Sequence, residues 1–88
     1  MNREEIQKAL EDLDVTVVLA DGLDEAFLGI TDDSPPRAVY DQKKIIDILV
    51  TRDGMTEEEA EEFFSYNISG AYVGEQTPLY VHRLDEFL

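Results

Sequence analysis

The chain of 88 residues contains no cysteine and no tryptophan, one histidine, and only seven bases against 21 acids. Without cysteine there are no disulfides and no thiolate metal sites, which fits a reducing compartment. A single histidine is too few for a zinc site, which draws on several His or Cys ligands. The shortage of lysine and arginine argues against direct binding of nucleic acid, because a phosphate-binding surface works by replacing counterions with cationic side chains. Anionic membranes are disfavoured for the same reason. Long apolar runs are also missing. The longest, Val17 to Ala20, has four residues, far short of a bilayer span. The N-terminal residues Met1-Asn2-Arg3-Glu4-Glu5 lack the apolar core of a signal peptide, so a cytoplasmic location is expected.

What is present is acid and a moderate apolar content. The formal net charge is −14, and hydrophobic residues make up 43% of the chain. That apolar fraction supports a packed interior and argues against disorder, which needs low hydrophobicity as well as high charge. The length points to one domain, residues 1–88, with a modest core.

Local signals divide the chain. Asn2 with Glu5 reads as the start of a helix over about residues 3–13, with Ile6, Ala9, Leu10 and Leu13 as its apolar stripe. Val15 to Ala20 is β-branched and apolar, and is expected to be a strand. Asp21-Gly22 is a turn pair. A second strand is expected over residues 26–31, with Gly29 marking a bulge or close backbone approach. A turn-rich loop, Asp32 to Pro36, leads to a short third strand over residues 37–40, pairing as a hairpin. Asp41 is an N-cap for a helix to about Arg52, and Gly54 stands where a left-handed residue ends it. Thr56 and Glu59 form a capping box for the next helix, with Met55 placed to staple onto Ala60. That helix puts Ala60, Phe63, Phe64 and Asn67 on one face and runs to near Gly70. Residues 78–82 read as a closing strand. The expected fold class is α+β: a small antiparallel sheet of three or four strands packed against two central helices, plus the N-terminal helix.

Chemistry-bearing patterns are sparse. Six carboxylates and no base lie between Asp53 and Glu62. Glu58, Glu61 and Glu62 fall away from the apolar face of the helix at 100° per residue, and Glu57 to Glu59 sit where the helix dipole favours acids. A calcium loop with Gly54 at its sixth position would put Leu49 first and Ala60 twelfth, so that frame fails. Asp32 and Asp33 belong to a turn and form a second exposed acidic patch. His82 has no companion that would make it a ligand or a catalytic base. Gly70 to Gly74 follows a helix and precedes a strand, the reverse of a dinucleotide-binding turn. Asn67, on the apolar face, is expected to be buried and to hold the Gly70–Gly74 connection. Arg37 and Arg52 are expected in internal ion pairs. Tyr66 and Tyr72 are candidate aromatic anchors for a partner. No metal, no cofactor and no enzymatic activity are expected.

Four stretches carry a resemblance: Asp21 to Ile30, Ala38 to Asp41, Arg52 to Ala60, and Asn67 to Pro78. Together they resemble a family of small uncharacterised acidic proteins met in phage, prophage and plasmid genomes, over roughly residues 21–81. The resemblance brings no active site. It implies a phage-type setting in the host-cell cytoplasm and a non-enzymatic accessory role. The N-terminal helix and the Val15–Ala20 segment lie outside it.

Two functional classes lead, ahead of a third, a small enzyme or ligand-binder with a site assembled from scattered residues. In the first, the chain is a protein-binding module whose acidic surface engages a basic host protein, in its concrete form a nucleic-acid mimic that inhibits a defence or regulatory protein. The partner-binding residues would be Glu58, Glu61, Glu62, Asp32, Asp33, Tyr66 and Tyr72. The alternative is a structural or assembly protein, compatible with a homodimer, whose acidity serves solubility or salt adaptation. Three lysines against eleven glutamates fit that second class as well.

Overall fold

The computed structural model describes residues 1–88, apart from the side chains of residues 86 and 87. Three helices and a three-stranded mixed sheet make an α+β fold. Helix α1 spans Arg3–Leu13, strand β1 Phe27–Ile30, strand β2 Ala38–Asp41, helix α2 Gln42–Thr51, helix α3 Glu57–Phe63, and strand β3 Leu79–Val81. Single helical turns occupy Asp24–Ala26, Phe64–Ile68 and Leu84–Phe87.

The helix starts follow local chemistry. Asn2 accepts the Glu5 amide at 2.8 Å while the Glu5 carboxylate accepts the Asn2 amide at 3.0 Å. Thr56 and Glu59 repeat the arrangement at α3, at 3.1 and 2.9 Å. Each box satisfies two amides that lack partners within the helix. Asp41 caps α2 through the Lys43 and Lys44 amides. Gly54 carries a φ of +72° between α2 and α3, two residues past the Arg52 C-cap. There the Met55 amide turns back to the Leu49 carbonyl.

The sheet departs from expectation in two ways. First, β1 and β2 are antiparallel, but β2 and β3 are parallel, with Tyr40 opposite Tyr80. A parallel neighbour requires a long crossover, and α2 and α3 supply it. The sheet is therefore mixed, not antiparallel. Second, Val15 to Ala20 is extended but belongs to no strand. Val15, Val17 and Leu19 do turn inward at period two, as an extended chain should. Two of its polar groups, however, are taken by side chains. The Ala20 amide donates to the Tyr40 hydroxyl at 2.8 Å, and the Thr16 carbonyl accepts Gln76 Nε2 at 2.6 Å. Within the β1–β2 hairpin the register shifts between Phe27 and Gly29, the bulge that Gly29 announced.

One buried cluster joins these elements. Ala38 and Tyr40 of β2, Ile45, Ile46, Ile48 and Leu49 of α2, Ala60 of α3, and Phe64 share it with Leu23 and Ala26. Fully burying a side chain of the Leu or Ile size contributes about 1.5–3 kcal/mol. Tyr40 sits between Phe27, edge-on at 5.6 Å, and Tyr80, stacked at 6.0 Å, while Phe64 meets Tyr80 edge-on at 5.2 Å. Helix α1 is less embedded than its stripe suggests. Ile6 is buried and Leu10 half-buried, but Ala9 and Leu13 are exposed. Its second anchor is Arg3, whose Nε and Nη2 both donate to the Asp24 carboxylate at 2.9–3.2 Å.

Candidate functional site

Helix α3 continues into a wider, π-type turn over Phe64–Ile68, in which the Ser69 amide reaches the Phe64 carbonyl at 2.8 Å. A π turn closes on i+5 and so inserts one residue. The inward position that regular spacing assigns to residue 67 therefore passes to Ile68. Asn67 is exposed instead of buried, and it does not hold the Gly70–Gly74 connection. Thr77 does so: its Oγ1 accepts the Val73 amide at 3.0 Å and donates to the Gly74 carbonyl at 2.7 Å. Phe63, expected on the inner face, is 39% exposed.

Glu58, Glu61 and Glu62 are all exposed. At 100° per residue, Glu58 lies at the crest, with Glu61 and Glu62 on opposite flanks of it. The surroundings agree. Glu62 shares a shallow depression with Met55, Glu59, Phe63, Tyr66 and Asn67. Glu61 shares another with Lys43, Asp47, Glu57, Ser65 and His82. The three make one ridge with two different borders. Glu59 is not part of it in a chemical sense, since the capping box engages its carboxylate, and hydrogen bonds from the Thr56 amide and hydroxyl hold its pKa below the ordinary value.

The cations do little to neutralise this ridge. Among the described residues, Arg3 pairs with Asp21 and Asp24, Lys43 with Asp47, Arg52 with Asp53, and Arg83 with Asp85. These pairs use aspartates, and none uses Glu58, Glu61 or Glu62. Arg52 is doubly engaged, through Asp53 and through Nη1 to the Gly22 carbonyl. Gly22 has a φ of +79°, and a Cβ there would come within 3.3 Å of that same nitrogen. Arg37 makes no ion pair among the described residues. Its Nε donates to the Thr77 carbonyl at 2.6 Å, fixing the hairpin to the β3 connection.

Asp32 and Asp33 are exposed in the loop between β1 and β2. That loop closes on Thr31 and Arg37 and is tied through the Pro36 carbonyl to Gln76. It stands at the start of β2, whereas α2, on which α3 packs, begins at the end of β2. Asp32 and Asp33 are thus a separate acidic point, not an extension of the α3 ridge. Tyr66 and Tyr72 are 82% and 80% exposed.

A cleft of about 370 Å³ was not foreseen from the sequence. Its walls come from the extended segment (Val18, Leu19, Ala20), the end of α2 (Leu49, Arg52, Asp53), the α3 turn (Phe63, Asn67, Ile68) and the β3 approach (Ala71, Val73, Pro78, Tyr80). Among the described residues no three His, Asp or Glu side chains converge as metal ligands. No described helix is long and apolar enough to cross a membrane. Comparison with protein-family models, with curated proteins and with solved structures finds no match, so the site is argued from its geometry.

Proposed function

We propose that the chain is a non-enzymatic, phage-type accessory module that binds a basic protein through its acidic surface, occupying the site where that protein holds nucleic-acid phosphates. The observation that carries this reading is the α3 ridge: Glu58, Glu61 and Glu62 are exposed, and the ion pairs of the described residues leave all three without a cationic partner. DNA presents one charge per about 1.7 Å of axis. Carboxylates spread from Glu58 to Glu62, about 6 Å of helix rise, imitate part of that density. The phage-type setting rests on the sequence resemblance over residues 21–81.

The test compares the wild-type protein with the triple variant Glu58→Gln, Glu61→Gln, Glu62→Gln. Glutamine keeps helix propensity nearly constant, so the fold is retained while three charges are removed. Each protein is immobilised and exposed to host lysate at low salt and at 0.5 M salt, with and without duplex DNA. The reading expects the retained partner to be a basic, nucleic-acid-binding protein. Its capture should fall with salt and with the substitutions, and DNA should displace it. A partner held equally by both proteins, and equally at 0.5 M salt where the Debye length is about 4 Å, overturns the mimic reading and favours acidity as a solubility device.

A further inference from the structure

The aromatic side chains are divided unevenly over the molecule. Phe27, Tyr40, Phe64 and Tyr80 pack among themselves. The other three described ones, Phe63, Tyr66 and Tyr72, are exposed. Two of them meet: Phe63 lines both the 370 Å³ cleft and the neighbouring depression, where Tyr66 adjoins it. Val18 and Val73, the latter 54% exposed, complete an apolar mouth. Gathered exposed aromatics of this kind mark an interaction surface, whereas scattered ones do not.

The border of this mouth carries acid. Asp21 and Asp53 line the cleft, each paired with an arginine, and Glu59 and Glu62 line the adjoining depression, where the capping box takes Glu59 and leaves Glu62 without an ion pair among the described residues. The one cation present, Arg52, is already engaged by Asp53 and the Gly22 carbonyl. We infer that the cleft receives a bulky apolar side chain from a basic peptide segment of the partner protein, with a flanking Lys or Arg meeting Glu62. Charge complementarity selects this occupant. A second copy of the chain would bring −14 against −14, a repulsion that opposes self-docking. The inference rests on the proposed binding of a basic protein and adds what fixes its register: charge draws the segment in and the cleft seats it.

Three synthetic fifteen-residue helical peptides separate the two readings. The first carries lysines with a leucine stripe. The second carries the same lysines with serine in place of leucine. The third keeps the leucines and replaces lysine by glutamine. Binding is followed by NMR shifts of the wild-type protein and of the variant Ala71→Trp, which fills the cleft from an exposed position. Expected is binding of the Lys/Leu peptide with shifts at Val18, Phe63 and Val73, weakened about tenfold for Ala71→Trp and for the Lys/Ser peptide. Equal binding of the Lys/Ser peptide, with shifts confined to Glu58, Glu61 and Glu62, overturns the cleft inference and leaves the acidic reading standing. Equal binding of the Gln/Leu peptide supports the cleft as a seat but overturns its basic occupant, and the acidic reading with it. A dimer of the free protein that Ala71→Trp abolishes places a second copy in the cleft and overturns the inference. Unfolding of Ala71→Trp is checked by circular dichroism, and Val73→Ser then serves as the second cleft variant.

Discussion

The extended segment at residues 15–20 is held to the sheet by one hydroxyl, and removing that oxygen tests how the segment is kept in place. Tyr40 is fully buried, and its hydroxyl accepts the Ala20 amide at 2.8 Å. Tyr40→Phe preserves the ring contacts to Phe27 and Tyr80 but leaves the Ala20 N–H without its acceptor. An unsatisfied donor of this kind costs about 1–3 kcal/mol. In a domain of this size each kcal/mol lowers the melting temperature by about 4–8 °C. The expected loss is therefore at least about 4 °C, together with faster hydrogen exchange at Ala20. Alkaline behaviour supplies a second readout. Burial pushes the Tyr40 phenol above its ordinary 10.0, with the Ala20 hydrogen bond opposing part of that shift. The folded state therefore holds its proton more tightly than the unfolded chain does. The Tyr40 contribution to stability is fully present below pH 10 and declines as the pH rises from there toward the folded value. Tyr40→Phe removes that part of the alkaline decline, and Tyr80, also raised by burial, retains the remainder. A melting temperature within about 2 °C of wild type, with the Ala20 amide still protected, would refute the tether.

Gly54→Val is expected to cost on the order of 1–2 kcal/mol, because a β-branched residue resists positive φ; nothing crowds a Cβ at Gly54, so an unchanged melting curve would show that the backbone there relaxes freely. Asp24→Asn weakens the Arg3 fork and is expected to cost about 1 kcal/mol, as a part-exposed bidentate pair does; the loss should appear as faster exchange or proteolysis in α1, and uniform loosening of the whole chain would contradict the latch. Glu59, held below its ordinary 4.5 by the Thr56 amide and hydroxyl, contributes stability that is present above that pH and lost as the pH falls through its folded value. Glu59→Gln should flatten the loss of helix signal on acidification, and an unchanged acid profile would remove the capping box as its cause.

The parts of the fold legible in the sequence are those fixed by a few neighbouring residues. Asn2 with Glu5, Asp41, and Thr56 with Glu59 each satisfy helix-start amides within three residues, so the helix starts could be read directly. Gly22, Gly29 and Gly54 mark two positive-φ turns and a bulge for equally local reasons. The errors in the sheet and in α1 are long-range. Period-two burial at Val15, Val17 and Leu19 is a property of extended backbone, but a strand also needs a ladder, and here the partners are the Tyr40 hydroxyl and Gln76. The direction of β3 depends on where the two-helix crossover delivers the chain, which no local signal encodes. Leu13 fits the α1 stripe but meets no core, because α1 touches the body mainly at its first two turns.

The same division governs the candidate site. Exposure of Glu58, Glu61 and Glu62 follows from helix period alone, and so was readable. The cleft beside them was not, because it draws its walls from four segments between residues 18 and 80. Its one local cue is the change of helical pitch after Phe63. Had α3 continued at 3.6 residues per turn, Asn67 would have turned inward and required a buried partner. The π turn gives that place to Ile68 and leaves Asn67 facing outward, beside Phe63, Tyr66 and Glu62. π turns are uncommon in helices and recur at functional positions. Beside that turn, Phe63 and Tyr66 set aromatic surface next to Glu62, a pairing that a uniformly charged solubility helix does not need and that a basic, apolar-anchored segment can use.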